Sequence, residues 1–210
     1  PANNPKGSEG SERKMAKNHE KTQEIRKRRG RHILLHTQQL CNCQKKGVDM
    51  SAAFLSDNPE DGDYNQYWYS PYTIEQMVKD IVLEGGSVAY LSTPSIYFSV
   101  PQENMSISKV FDYDKKWESD PGFVFYDYNK PDEVPESLKG TFDMVVVDPP
   151  FIVREVWEKY AITSKLLLKK DGGKMILTTV MENEAMLKEI LGESVTTQAF
   201  MPSIPNLVYQ

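Results

Sequence analysis

Cysteine is nearly absent. Cys41 and Cys43 are the only two in 210 residues. That excludes a small domain stapled by disulfides and favours a reducing, cytoplasmic setting. No apolar run reaches the roughly 20 residues that a helix needs to cross a bilayer, and no secretory signal is visible in a chain that opens at Pro1. Histidine is scarce, with three residues. His32 and His36 stand near Cys41 and Cys43, but Cys-x-Cys after His-x3-His matches no common structural zinc spacing, so no metal is expected. His19 stands alone. The Gly-x-Gly-x-x-Gly dinucleotide fingerprint is missing, and there is no internal repeat.

Positive charge is scarce where the mass is. Residues 1–50 hold 12 Lys/Arg against 5 Asp/Glu, whereas residues 51–210 hold 13 against 25. A basic head, residues 1–60, therefore precedes an acidic body, residues 61–210. "PANNPKGSEGSERK" has almost nothing to bury, and the head is expected to be mostly disordered. "KTQEIRKRRGRHILLH" offers at most a short basic helix, and "SDNPEDGDYN" (56–65) is turn chemistry that marks the boundary. An acidic body suits a basic protein partner better than the phosphates of nucleic acid.

The body alternates strand and helix signals. Ile74, Met77, Val78 and Ile81 sit at helical spacing in 73–85, with Thr73 placed to cap the start and Gly85 the end. Strands are expected at 87–92, 108–114, 122–129, 142–147 and 174–180, with "TTQAFMPS" (196–203) and "NLVYQ" (206–210) as the final pair. A Pro-interrupted helix or loop fills 94–104, and further helices fill 154–170 and 182–192. "FDMVVV" (142–147) is apolar throughout, as a parallel strand buried on both faces requires. The alternation implies an α/β fold with helices on both faces of a doubly wound parallel sheet. Such sheets bind ligands at the carboxyl ends of their strands.

Those ends carry the candidate chemistry. "STPS" (Ser92, Thr93, Pro94, Ser95) follows the first strand: either small residues that admit a ligand, or an ordinary capping turn. Asp112 and Asp114 follow the second, two apart on one face, where an acid commonly accepts ribose hydroxyls. Asp127 follows the third between Tyr126 and Tyr128, a set that could hold an amino-purine or be an edge-strand aromatic cluster. The fourth ends in Asp148-Pro149-Pro150-Phe151. A lone buried carboxylate is costly or shifts its pKa. Two prolines stiffen the turn and lack N–H groups, which leaves carbonyls to accept from a ligand. Phe151 adds a flat rim. Together they form a clamp for an amino group.

Asp148-Pro149-Pro150-Phe151 resembles the Asp/Asn-Pro-Pro-Tyr/Phe motif of S-adenosylmethionine-dependent amino-methyltransferases, which include the DNA and RNA adenine-N6 enzymes. "QYWYS" (66–70), "STPSIY" (92–97), "FDYDKKW" (111–117), "FVFYDYNKP" (123–131) and "FDMVVVDPPF" (142–151) are similar, in the same order, to the elongation factor 1-alpha lysine methyltransferase family. The resemblance runs over about residues 64–210 and leaves out the head. It implies a Rossmann-like, seven-stranded class I methyltransferase sheet, cut short at Gln210 within the seventh strand. It also implies roles: Ser92 to Ser95 as the cofactor loop, Asp112 or Asp114 on the ribose, Asp127 facing the adenine. Gln66 to Ser70, with Trp68 and Tyr69, would close over cofactor and amine. Asp148 to Phe151 would hold the acceptor, and Trp68, Tyr69 and Phe151 would wall the lysine stem.

The function expected is methyl transfer from S-adenosylmethionine to a lysine of elongation factor 1-alpha. An adenine-N6 methyltransferase is the alternative, but a base enzyme needs a basic cleft to take its base out of the stack. A degenerate, non-catalytic binding module is the third reading, and the intact Asp148–Phe151 motif argues against it.

Overall fold

A computed structural model describes residues 50–195 and 200–206. The basic head up to residue 49, the His32–Cys43 group and the segments 196–199 and 207–210 lie outside the described residues. Five strands, β1 (Val88–Leu91), β2 (Lys109–Asp112), β3 (Phe123–Phe125), β4 (Met144–Val147) and β5 (Lys174–Leu177), form one sheet. All are parallel, in the order β3-β2-β1-β4-β5. The chain thus turns from one side of β1 to the other between β3 and β4, which puts the crevice at the carboxyl ends of β1 and β4.

The helical elements are α1 (residues 50–57), α2 (Pro71–Glu84), α3 (Pro94–Tyr97), α4 (Gln102–Met105), α5 (Arg154–Leu167) and α6 (Glu184–Leu191). Strand alternation sorts side chains between two layers. Tyr90, Val110, Met144 and Val146 meet Ile74, Met77, Val78 and Ile81 of α2 on one face. Ala89, Leu91, Phe111, Val145 and Val147 meet Val156, Trp157, Tyr160 and Leu167 of α5 and Leu187 of α6 on the other. All four residues of β4 are buried, and each such apolar side chain contributes about 1.5–3 kcal/mol. The expected continuous apolar run and the helices on both faces are found.

Several boundaries differ from the sequence reading. Helix α2 starts at Pro71, whose ring suits a first helical position, so Ser70 and not Thr73 is its cap: the Ser70 hydroxyl accepts from the Thr73 N–H. Gly85, with φ 70°, ends it as expected. Helix α5 stops at Leu167 because Leu168 turns extended and bridges Phe142. Residues 50–57, counted with the head in the sequence, are helical, and Phe54 is buried in an aromatic cluster with Trp68 and Trp117. Residues 200–206 are not strand. Ser203 instead bonds to the start of α2, donating its N–H to Thr73 and accepting from the Ser70 N–H at 2.7 Å. The sheet therefore has five strands among the described residues where seven were expected. No described helix is long and apolar enough to cross a membrane.

Candidate active site

Asp148-Pro149-Pro150-Phe151 sits where β4 leaves the sheet. Val145 and Val147 point to the α5 layer and Val146 to the α2 layer, so Asp148 is directed to the α2 side by strand alternation. There its Oδ1 accepts a 2.7 Å hydrogen bond from the Thr178 hydroxyl. The Tyr69 hydroxyl lies 2.6 Å from the Thr178 oxygen. Burial pushes the Asp148 carboxyl up to about 6, against the pull of Tyr69 and Thr178. Burial first, and then the Asp148 charge, hold the Tyr69 phenol far above its ordinary range. Above pH 6 Asp148 is thus an ionised acceptor and Tyr69 stays a donor. No described cation pairs with Asp148.

Phe151 is 50% exposed. The two proline carbonyls are not both free, contrary to expectation. The Pro150 carbonyl already accepts from the side chain of Asn65. Pro149 is buried.

At the end of β1, Ser92 adopts φ 55°, a left-handed backbone unusual for a residue with a Cβ. That breaks the strand alternation and turns its hydroxyl to Tyr160 of α5, 2.6 Å away. Thr93, Pro94 and Ser95 are buried. Thr93 Oγ1 has no hydrogen-bond partner, so it is a polar group in need of one. Thr93 to Ser95 are thus packed in, and only Ser92 of the four is partly exposed.

The two second-strand acids divide their tasks. Asp114 caps the short turn Lys115–Trp117 by accepting from the Lys116 N–H, and pairs with the Lys116 ammonium at 3.1 Å. Asp112 is the last residue of β2 and is 7% exposed. Its Oδ1 accepts from the Asp114 N–H at 2.9 Å. Burial raises its carboxyl to about 6, with Asp114 as a second, smaller push. Asp112 is engaged only by backbone N–H groups of the turn that follows it, Tyr113 and Asp114, whereas Asp114 pairs with a side chain as well.

Asp127 accepts from the Asn129 N–H at 2.9 Å, which makes it a turn residue with one oxygen to spare. Its flanking tyrosines do not frame a purine site. Tyr126 packs edge-on to Phe111 and Tyr160 and bonds Thr163, and Tyr128 stacks on Tyr160 at 6.0 Å. They belong to the α5 layer, because the sheet edge buries them there.

The segment Gln66–Ser70 also divides. Tyr69 reaches Asp148, but Trp68 does not. Its ring meets Phe54 edge-on at 5.2 Å and its indole N–H donates to the Asn58 carbonyl, so it is core rather than a wall for a lysine stem. Ser70 is occupied as the α2 cap. Gln66 accepts from Lys116 at 2.8 Å. Thr178, Asn65 and Tyr160 were not singled out from the sequence, since none belongs to a motif and each is recruited by packing. A surface hollow of about 480 Å³ lies between α5 and α6, off these strand ends, and a second of about 320 Å³ is lined by Pro59, Trp68, Tyr69, Ser70 and Asn206. No group of metal-ligating side chains occurs among the described residues.

The family model described as probable N6-adenine methyltransferase matches residues 60–210. The Homo sapiens EEF1A lysine methyltransferase 1 is 36% identical over 151 residues, 68% of each chain. The Saccharomyces cerevisiae protein-lysine N-methyltransferase EFM5 is 36% identical over 124 residues, 52% of this chain and 48% of that one, so this chain spans about half the yeast relative's length. Among solved structures, a branched-chain polyamine synthase from Thermus thermophilus aligns over 59% of this chain and 40% of its own at 19% identity with a TM-score of 0.45, too distant to add to the argument. The family model over residues 60–210 and the Homo sapiens relative show the family: the chain belongs to the elongation factor 1-alpha lysine methyltransferase family, a family of protein-lysine N-methyltransferases.

Proposed function

We propose that this chain transfers methyl from S-adenosylmethionine to a lysine of elongation factor 1-alpha, in the cytoplasm, through the domain at residues 61–210. The observation that carries the reading is Asp148, an ionisable carboxylate on the stiff β4 turn, with one oxygen held by Thr178 and exposed Phe151 beside it.

The residues present fit the cofactor. Asp112 ends β2 as a carboxyl held only by backbone N–H groups and open to ribose hydroxyls, and the buried, unpartnered Thr93 hydroxyl at the β1 turn needs an acceptor or donor. When bound, S-adenosylmethionine supplies an electrophilic methyl group on a sulfonium. The chain's own part is positioning, which can supply much of the acceleration. Asp148 accepts an N–H of the incoming amine, and Phe151 offers its face to the lysine stem. The amine must be neutral to react, and a free lysine with pKa about 10.4 is neutral about one part in 2,500 at pH 7. Asp148 favours the ammonium, so it orients the amine and the proton leaves to water beforehand.

Radiolabelled S-adenosylmethionine tests the reading with elongation factor 1-alpha, total RNA and DNA as separate acceptors. Label in the protein, lost when one lysine is changed, is the expected result. Label in nucleic acid would establish the adenine-N6 activity instead. Cofactor binding by calorimetry with no transfer to any acceptor would favour a degenerate module.

A further inference from the structure

We infer that Thr178, at the exit of β5, is the positioning residue that fixes the orientation of the Asp148 carboxylate, with Tyr69 closing the same hydrogen-bonded cluster. This deepens the proposed methyl transfer and rests on that reading only for its kinetic effect.

The pairing follows from sheet register. Val147 lies opposite Leu177, so Asp148 and Thr178 are the first residues past the paired strands. Leu177 packs in the α5 layer and Ile176 in the α2 layer. Alternation therefore turns Thr178 to the same side as Asp148. The Thr178 N–H donates to the Val147 carbonyl at 3.2 Å, which ties the two strand exits together. Tyr69 arrives at this point from the segment that caps α2, and its ring is 2% exposed.

Proton counting sets the direction of the bonds. A threonine hydroxyl has one hydrogen and can accept two. Three oxygens surround Thr178 Oγ1: Asp148 Oδ1 at 2.7 Å, Tyr69 at 2.6 Å and the Val147 carbonyl at 3.4 Å. A bond to an ionised acceptor is the stronger one, so the hydrogen goes to Asp148. The Tyr69 phenol, kept protonated by its burial, faces both the Thr178 oxygen and the Asp148 carboxylate. The three groups form one hydrogen-bonded cluster whose bonds polarise one another. Thr178 holds Oδ1, which fixes the plane of the carboxylate that the amine meets. The titratable groups facing the carboxylate are the buried phenols Tyr69 and Tyr160, and neither offers a positive charge.

Thr178→Val keeps the shape and removes the hydroxyl, and Thr178→Ser restores it. Loss of alignment at the acceptor should lower kcat by roughly 10- to 100-fold. The KM for S-adenosylmethionine should stay within about threefold, while serine recovers most of kcat. The acidic limb of the pH–kcat profile should move to higher pH in the valine variant, because a bond that favours the ionised carboxylate has gone. Unchanged kcat and an unmoved limb, loss of cofactor affinity in step with activity, or no rescue by serine would each overturn the assignment. Carbon-13 NMR of labelled aspartate, assigned with Asp148→Asn, reads the carboxyl without any turnover. Titration near 6 in the wild type and higher in Thr178→Val would support the coupling, and identical titrations would end it. A moved titration in a protein that methylates nothing would sink the proposed function and leave the positioning role standing.

Discussion

The side chain of Asn65 donates to the main-chain carbonyl of Pro150, across 85 residues of sequence. Asn65 holds φ 52° at the end of the short turn Gly62–Tyr64, so a left-handed residue in the segment before α2 braces the acceptor motif after β4. Asn65→Gly tests the brace, because glycine tolerates that backbone and removes only the donor. The expected outcome is a several-fold rise in KM for the protein acceptor, an unchanged dissociation constant for S-adenosylmethionine, and a stability loss of about 1 kcal/mol, read by kinetics, calorimetry and thermal melting.

Asp148 should matter to transfer more than to folding. Asp148→Ala is expected to lower kcat/KM by at least about 100-fold through lost acceptor alignment, while calorimetry still finds the cofactor bound. Loss of cofactor binding together with unfolding would make Asp148 structural instead.

Asp112 predicts a stability effect with a definite sign. Burial raises its carboxyl from 3.8 to about 6, so the folded chain holds the proton more tightly than the unfolded chain does. Stability contributed by this group is therefore full below about pH 4 and falls as pH rises through the range to about 6. Asp112→Asn should melt higher at pH 7.5, by an equivalent of about 1–3 kcal/mol for a shift of this size, and gain nothing at pH 4. The same variant should bind S-adenosylmethionine more weakly, by about tenfold for one lost charge-assisted bond. A gain in stability at both pH values would rule out desolvation as its cause.

Trp68 and Phe151 make a contrasting pair, at 6% and 50% exposure. Trp68→Ala should cost about 3–5 kcal/mol as a core truncation, visible in urea unfolding. Phe151→Ala should leave unfolding unchanged and raise the KM for the protein acceptor. Equal stability losses in both variants would place Phe151 in the core and remove it from the acceptor rim.

Local pattern alone was enough for much of this protein. The spacing of Ile74, Met77, Val78 and Ile81 named a helix and its buried stripe. The all-apolar run before Asp148 named a strand buried on both faces, because water is excluded from both sides of a central parallel strand. Asp148-Pro149-Pro150-Phe151 carried its own chemistry, since a charge next to two residues with fixed φ needs a ligand or a partner. Tertiary structure decided the rest. It separated Asp112 from Asp114, since only packing shows that Lys116 and a turn have claimed the second acid. It sent Trp68 and Tyr69, neighbours in sequence, to an aromatic core and to Thr178 beside Asp148. It drew Thr178 and Asn65 into the site from positions with no motif. A hydrogen bond depends on register and distance between strands, and those are properties of the assembled sheet that no short window of sequence contains.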